Sequence, residues 1–176
     1  MTGQGATEAG ETDIRVEIDP GHFRSVLGNY PTGVCVITGV SQDGEAAGLV
    51  VGSFTSVSLD PPLVAFFPDR GSSSWPLVRA GGYFCVNVLA DDQIELCRRF
   101  ASRGGDKFEG TSHRLSQRGL PLLDGVVAHI ECAIADEIDA GDHTIVLGRV
   151  ETLAVERAAG PLLFFKGAYG RFAATS

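Results

Sequence analysis

Residues 126–155 read VVAHIECAIADEIDAGDHTIVLGRVETLAV, and this stretch decides the fold class. Two runs rich in Val and Ile, 126–138 and 143–155, flank Asp139-Ala140-Gly141-Asp142. β-Branched residues suit a pleated, half-buried surface, and an Asp/Gly cluster supplies the turn between two such runs. The spacing predicts a long antiparallel hairpin. Working outward, 34–40 (VCVITGV) is β-branched and apolar, Ser41-Gln42-Asp43-Gly44 is a turn, and 47–52 returns as a second strand. Residues 63–67 form a third strand after the stop at Pro61-Pro62, 83–89 a fourth, and 162–166 a last. The expected helices are short. One follows an Asp19 cap and Pro20, with Phe23, Val26 and Leu27 on one face and Gly28 at its end. Another covers 74–80 with Trp75 and Pro76 in its first turn, and a third runs from an Asp91 or Asp92 cap through Ile94, Leu96, Cys97 and Phe100. Residues 101–125 are polar and Gly-rich and read as a long loop, a setting where function often lies. Strands outnumber helices and do not alternate with long ones. A mainly β, mostly antiparallel barrel or sandwich is expected, and a doubly wound fold is disfavoured.

The chain has 176 residues, 44% hydrophobic and 20% charged, which suits one folded domain with a packed core. We expect an acidic arm at 1–18 and a domain at 19–176. The net charge is −8, and residues 1–19 hold five acids and one base, so that stretch carries half of it. An acidic chain repels phosphate backbones, so nucleic-acid binding is disfavoured. No apolar run reaches the ~18 residues of a membrane helix, and no secretory layout opens the chain, so a cytoplasmic protein away from membranes is expected. Cys35, Cys85, Cys97 and Cys132 include no Cys-x-x-Cys pair and read as reduced, mostly buried thiols.

Several chemistries lack their signatures. Gly-x-Gly-x-x-Gly, the phosphate-loop motif, His-Glu-x-x-His and the Gly-x-Ser-x-Gly elbow are all absent. His129-Ile130-Glu131 is read as an ordinary solvent-facing strand pair, and no metal is expected. Gly71-Ser72-Ser73-Ser74 is read as a loop capping the helix after it. Three segments stand out. GLVVGSFTSVSLDPP (48–62) gathers Ser53, Thr55, Ser56 and Ser58 at a strand end, where hydroxyls and backbone N–H groups suit an anion or an electron-rich ring edge. NYPTGVCVIT (29–38) makes a tight bend at Pro31-Thr32-Gly33, and Gly33 leaves room for close approach to backbone. Gly141-Asp142-His143 puts a histidine beside an acid at a hairpin end, able to donate or shuttle a proton. Each of these segments, taken alone, also fits an ordinary turn or a solvated strand end.

Together and in order, the segments resemble the flavin reductase-like family, which includes the reductase components of two-component flavin monooxygenases. The matching stretches are FRSVLGNYPTGVCVIT, GLVVGSFTSVSLDPPLV, GGYFCVNVLADDQIELCRRFA, DKFEG, GLPLLDG, HIECAI, GDHTIVLGRV and GPLLFFKGAYG, spanning residues 23–169 and slightly beyond. The resemblance implies an FMN-binding split β-barrel (antiparallel, Greek-key-like) with a few short helices. It implies a homodimer with flavin near the subunit interface, and NAD(P)H:flavin oxidoreductase activity. It places Pro31, Thr32, Gly33, Val34, Ile37 and Thr38 along the flavin ring and ribityl chain. It sets Ser53, Phe54 and Thr55 at the ring and its polar edge, and Ser56, Ser58, Leu59 and Asp60 in the same pocket. Cys85 and Val86 would support it from a neighbouring strand. Lys107 and Phe108 match a loop where a cation can meet flavin phosphate, His143 would sit beside the nicotinamide, and Tyr169 would flank the same site.

Hydride transfer needs positioning more than a side-chain nucleophile, and the cofactors carry the difficult chemistry. Backbone N–H groups around 53–55 would stabilise negative charge on the reduced ring. The expected reaction moves hydride from NADH to FAD, with FMN second, and supplies a separate monooxygenase. NADH is placed ahead of NADPH because no basic cluster presents itself for a 2′-phosphate. The alternative reading is a barrel that keeps its flavin, as a binding or electron-transfer module or as a direct reductase of an organic substrate.

Overall fold

The computed structural model describes residues 17–175, so the expected arm at 1–18 lies almost wholly outside the described residues. In chain order these form α1 (Pro20–Leu27), β1 (Thr32–Gly33), β2 (Cys35–Val40), β3 (Ala46–Val51), β4 (Thr55–Leu59) and β5 (Pro62–Phe66). Then come α2 (Trp75–Ala80), β6 (Tyr83–Val88), α3 (Ile94–Ala101), β7 (His113–Leu115) and β8 (Pro121–Leu123). The chain closes with β9 (Ala128–Ala140), β10 (His143–Val155), β11 (Leu162–Phe165) and β12 (Ala168–Arg171). Seven strands make the main antiparallel sheet, in the order β3-β2-β6-β9-β10-β5-β4. The end strands β3 and β4 are not paired with each other among the described pairings, so the expected barrel does not close. Residues 52–54 run between those unpaired edges. Among the described residues no helix is long and apolar enough to cross a membrane.

The unbroken apolar run of β2 follows from burial on both faces. Cys35 and Ile37 enter one core with Phe66, Trp75, Val78 and Phe84. Val36, with Val34 just ahead of it, enters a second with Leu89, Phe100 and Leu162. Helix α2 covers the first core and α3 the second. Alternation, the usual mark of a strand, disappears when both faces are dry. All four cysteines are buried free thiols.

The long hairpin pairs His143 with Ala140, so Gly141 and Asp142 alone make the turn, and Gly141 takes φ +67°. Further along β10, the ring of Phe84 reaches across β9 so that a Cβ on Gly148 would lie 2.4 Å from its Cζ. Phe84 is fully buried and packs edge-on to Phe66 at 5.1 Å, so it has little room to yield. Gly148→Ala is expected to cost about 1–3 kcal/mol by overpacking. Thermal unfolding checks this, and an unchanged midpoint would mean that the ring moves aside freely.

The structure corrects several expectations. Residues 55–59, expected at the end of a strand, form a strand of their own, β4, at the edge of the main sheet. The 101–125 loop contains β7 and β8, three residues each and too short to show periodicity. Tertiary polar contacts hold that hairpin. Thr38 Oγ1 donates to Pro121 O at 2.6 Å, and Leu123 N donates to Asn87 Oδ1 at 2.8 Å. Strands β1 and β12 flank β11 in a small sheet. Helix α3 starts after Gln93, not after Asp91 or Asp92. Those acids instead meet Arg171 and Arg157, while Gln93 Oε1 accepts from Ala90 N at 3.0 Å. His129 does not face solvent. It is 4% exposed, with Nε2 3.0 Å from Leu123 O and Nδ1 3.0 Å from Glu156. That contact and Arg114 hold the Glu156 carboxyl below its ordinary range. The Asp19 cap forms as expected, accepting from His22 N at 2.6 Å. Yet Phe23, Val26 and Leu27 stay about half exposed, because no described residue covers that face.

Candidate active site

An open cavity of about 1310 Å³ lies beside the β3 edge. Its walls are 49–51 of β3 with Gly52 and Ser53, the segment after β5 (Phe67, Pro68, Asp69 and 71–74), and the end of α3 with Arg103 and Lys107. Ala140, His143 and Ile145 close it from the long hairpin, and Phe23 and Leu27 from α1. Ser53, Lys107 and His143 therefore meet in one space from three distant parts of the chain.

Each is held by a local device. Ser53 Oγ accepts from Phe67 N at 2.9 Å, tying the end of β3 to the segment after β5. Gly52 has no side chain because a Cβ there would sit 2.9 Å from Thr32 Oγ1. His143 Nδ1 lies 2.7 Å from Asp142 Oδ1, leaving Nε2 as the ring nitrogen open to a ligand. The imidazole in turn holds the Asp142 carboxyl below the usual carboxylate range. Lys107 is half-buried, and its Nζ donates to Gly48 O (3.1 Å), Ser74 Oγ (3.2 Å) and Phe100 O (3.0 Å). Its three N–H groups thus go to protein acceptors, and burial pulls its ammonium below the ordinary lysine value. Arg103 has no ion-pair partner among the described residues and stands exposed on the cavity wall.

Other expected positions lie elsewhere. Ile37, Thr38, Cys85 and Val86 have no exposed surface; they lie on β2 and β6, beside β3 in the main sheet. Thr38 spends its hydroxyl on Pro121 O, and Val34 is buried in the α3-covered core. Phe54 packs on the first core. Thr55, Ser56, Ser58, Leu59 and Asp60 sit on β4 and its turn, outside this cavity, and Leu59 is 96% exposed. Phe108 packs edge-on to Phe100 at 5.2 Å, one layer behind the wall. Tyr169 Oη lies 3.2 Å from Cys97 Sγ, and the pairing with that sulfur together with burial pushes its phenol up to about 12. Thr32 borders Gly52, neither it nor Pro31 lines the cavity, and a Cβ on Gly33 would meet nothing within 4 Å. Sequence reading missed Phe67, Ser72–Ser74 and Arg103 as lining. The run of three serines was the available signal, read only as a helix cap. Ser72 Oγ does accept from Trp75 N at 3.2 Å.

A flavin needs a slot for a flat ring, hydrogen-bonding groups along a polar tail, and a cation for its phosphate. The apolar walls of Leu49, Val51 and Phe67, the hydroxyls of Ser53, Ser72 and Ser73, and Arg103 meet that description. Among the described residues no three His, Cys, Asp or Glu side chains gather to hold a metal. Fold and cavity together define an antiparallel β protein with an open cavity lined by apolar, hydroxyl and basic side chains. A family model described as the flavin reductase like domain matches residues 27–173, and the chain belongs to that family. A flavin reductase of Pseudomonas putida is 56% identical over 161 residues, 92% of this chain and 95% of that protein. The reductase subunit HsaB of a flavin-dependent monooxygenase from Rhodococcus jostii is 45% identical, covering 96% and 83%. A Streptomyces globisporus NADH:FAD oxidoreductase, solved with NAD and FAD fragments, superposes with a TM-score of 0.82 at 39% identity, covering 89% and 96%.

Proposed function

We infer that this chain is an NAD(P)H:flavin oxidoreductase that supplies reduced flavin to a separate monooxygenase component. The observation that carries this reading is the meeting of Ser53, Arg103 and His143 in one cavity. The relatives named as flavin reductases and monooxygenase reductase subunits support it. NADH is the preferred donor and FAD the preferred flavin, with FMN second; the likeness to an NADH:FAD oxidoreductase supports both choices. When bound, the flavin ring supplies the two-electron acceptor. Around it the protein orients. Ser53 and the 72–74 segment line the polar tail, Arg103 faces the phosphate, and His143 holds the nicotinamide amide against the ring. The half-exposed apolar face of α1 and the free edge of β4 support a homodimer, which would bring β4 residues to a partner's cavity. We assign the reaction to the cytoplasm.

NADH oxidation followed at 340 nm, with and without FAD, FMN or riboflavin, tests the reading. Saturable, flavin-dependent oxidation is expected, and no oxidation with any flavin or with NADPH would overturn it. The same assay isolates the phosphate contact. Arg103→Ala is expected to raise KM for FMN by about tenfold, the worth of one charge-assisted hydrogen bond, and leave riboflavin, which has no phosphate, unchanged. Equal effects on both flavins would remove Arg103 from that role.

A further inference from the structure

The segment joining β5 to α2 lines the cavity and also grips the hairpin end that carries His143. Arg70 makes most of that grip. Its Nη2 donates to Asp139 Oδ1 at 2.7 Å and its Nη1 to Gly141 O at 3.3 Å. Its backbone N–H donates to Asp142 O at 3.0 Å. Thr144 N donates to Pro68 O at 3.1 Å, and Asp69 bridges His143 in antiparallel fashion. One residue thus contacts the hairpin before the turn, inside it, and at the acid that pairs with the His143 ring. The turn itself is only Gly141-Asp142, with Gly141 at positive φ, so few contacts of its own resist tilting. A planar guanidinium reaches two acceptors at fixed spacing, which an ammonium does not.

We propose that Arg70 is a positioning residue for His143, locking the hairpin tip against the cavity wall so that the imidazole meets the nicotinamide in one orientation. This rests on the reading that His143 works at the nicotinamide. Global stability is not the purpose of the clamp. Arg70 and Asp139 side chains are 52% and 79% exposed, and pairs so exposed contribute little to folding.

The test is a double-mutant cycle read by steady-state kinetics with NADH and FAD. Arg70→Ala is expected to lower kcat/KM for NADH by about tenfold in the parent chain, since a misplacement near 1 Å is costly. It should leave the flavin KM within about twofold and shift the thermal midpoint by no more than about 4 °C. In a His143→Ala background the same change should have no further effect on NADH, because the group being positioned is gone. Equal losses in both backgrounds, or no loss in the parent, would overturn the proposal. If His143→Ala itself leaves NADH turnover unchanged, the reading of His143 fails first, and the Arg70 proposal falls with it. Asp139→Asn weakens the same clamp at an exposed acceptor and carries the cycle if Arg70→Ala does not fold.

Discussion

His143→Ala is expected to lower kcat/KM for NADH by about 10²-fold while the flavin KM stays within about twofold. The side chain is 43% exposed and stands on the cavity wall, so a ligand can reach it without moving the fold. Asp142 Oδ1 at 2.7 Å from Nδ1 fixes the ring's orientation and presents Nε2. Ala removes the presented nitrogen and leaves the hairpin intact, because His143 pairs with Ala140 through backbone, not through its ring. The loss should therefore fall on the nicotinamide step alone. The ring's hold on Asp142 also has a pH sign. Asp142 is held below its ordinary value, so the pair is present above the usual carboxylate range and is lost as pH falls through the lowered value. At neutral pH the Asp142 carboxylate is ionised, and the variant is compared with the parent there. Equal turnover in variant and parent would take His143 out of the site.

Lys107→Met is expected to destabilise the fold by about 2–3 kcal/mol, lowering the thermal midpoint by about 5–10 °C. The ammonium joins three elements at one point: Gly48 O on β3, Ser74 Oγ at the start of α2, and Phe100 O in α3. Met keeps the apolar stem but returns nothing to two carbonyls and a hydroxyl. Hydrogen bonds to a charged donor contribute about 1.5–3 kcal/mol each, and water entering from the open cavity replaces part of the loss. The three elements also bring Gly48 against Phe100, where a Cβ would sit 2.7 Å from the ring. Loosening them should broaden the cavity and raise the flavin KM together with the loss of stability. A thermal midpoint within about 2 °C of the parent would mean that water satisfies all three acceptors. This effect separates Lys107 from Arg103, whose loss should change phosphate-bearing flavins without changing stability.

The sequence by itself determined the antiparallel β character. The run at 34–40, the paired runs around Asp139-Ala140-Gly141-Asp142, and the cap at Asp19 are all local patterns, and local patterns are readable along a chain. It also carried the ordered motifs that resemble the flavin reductase-like family. Only the tertiary structure decided which motif residues face the cavity. Ile37, Thr38, Cys85 and Val86 belong to matching stretches yet are sealed in the core, because the strands bearing them are covered on both faces. Lys107 reads as a cation for phosphate, but packing of β3, α2 and α3 surrounds it with acceptors. Strands β7 and β8 escape notice because each is three residues long and depends on Thr38 and Asn87, distant in sequence. Arg70, an unremarkable residue in a turn-rich stretch, gains its contacts from a hairpin about seventy positions later. The physical reason is the same throughout: periodicity records how a residue sits in its own element, whereas burial and charge pairing depend on which other element lies against it.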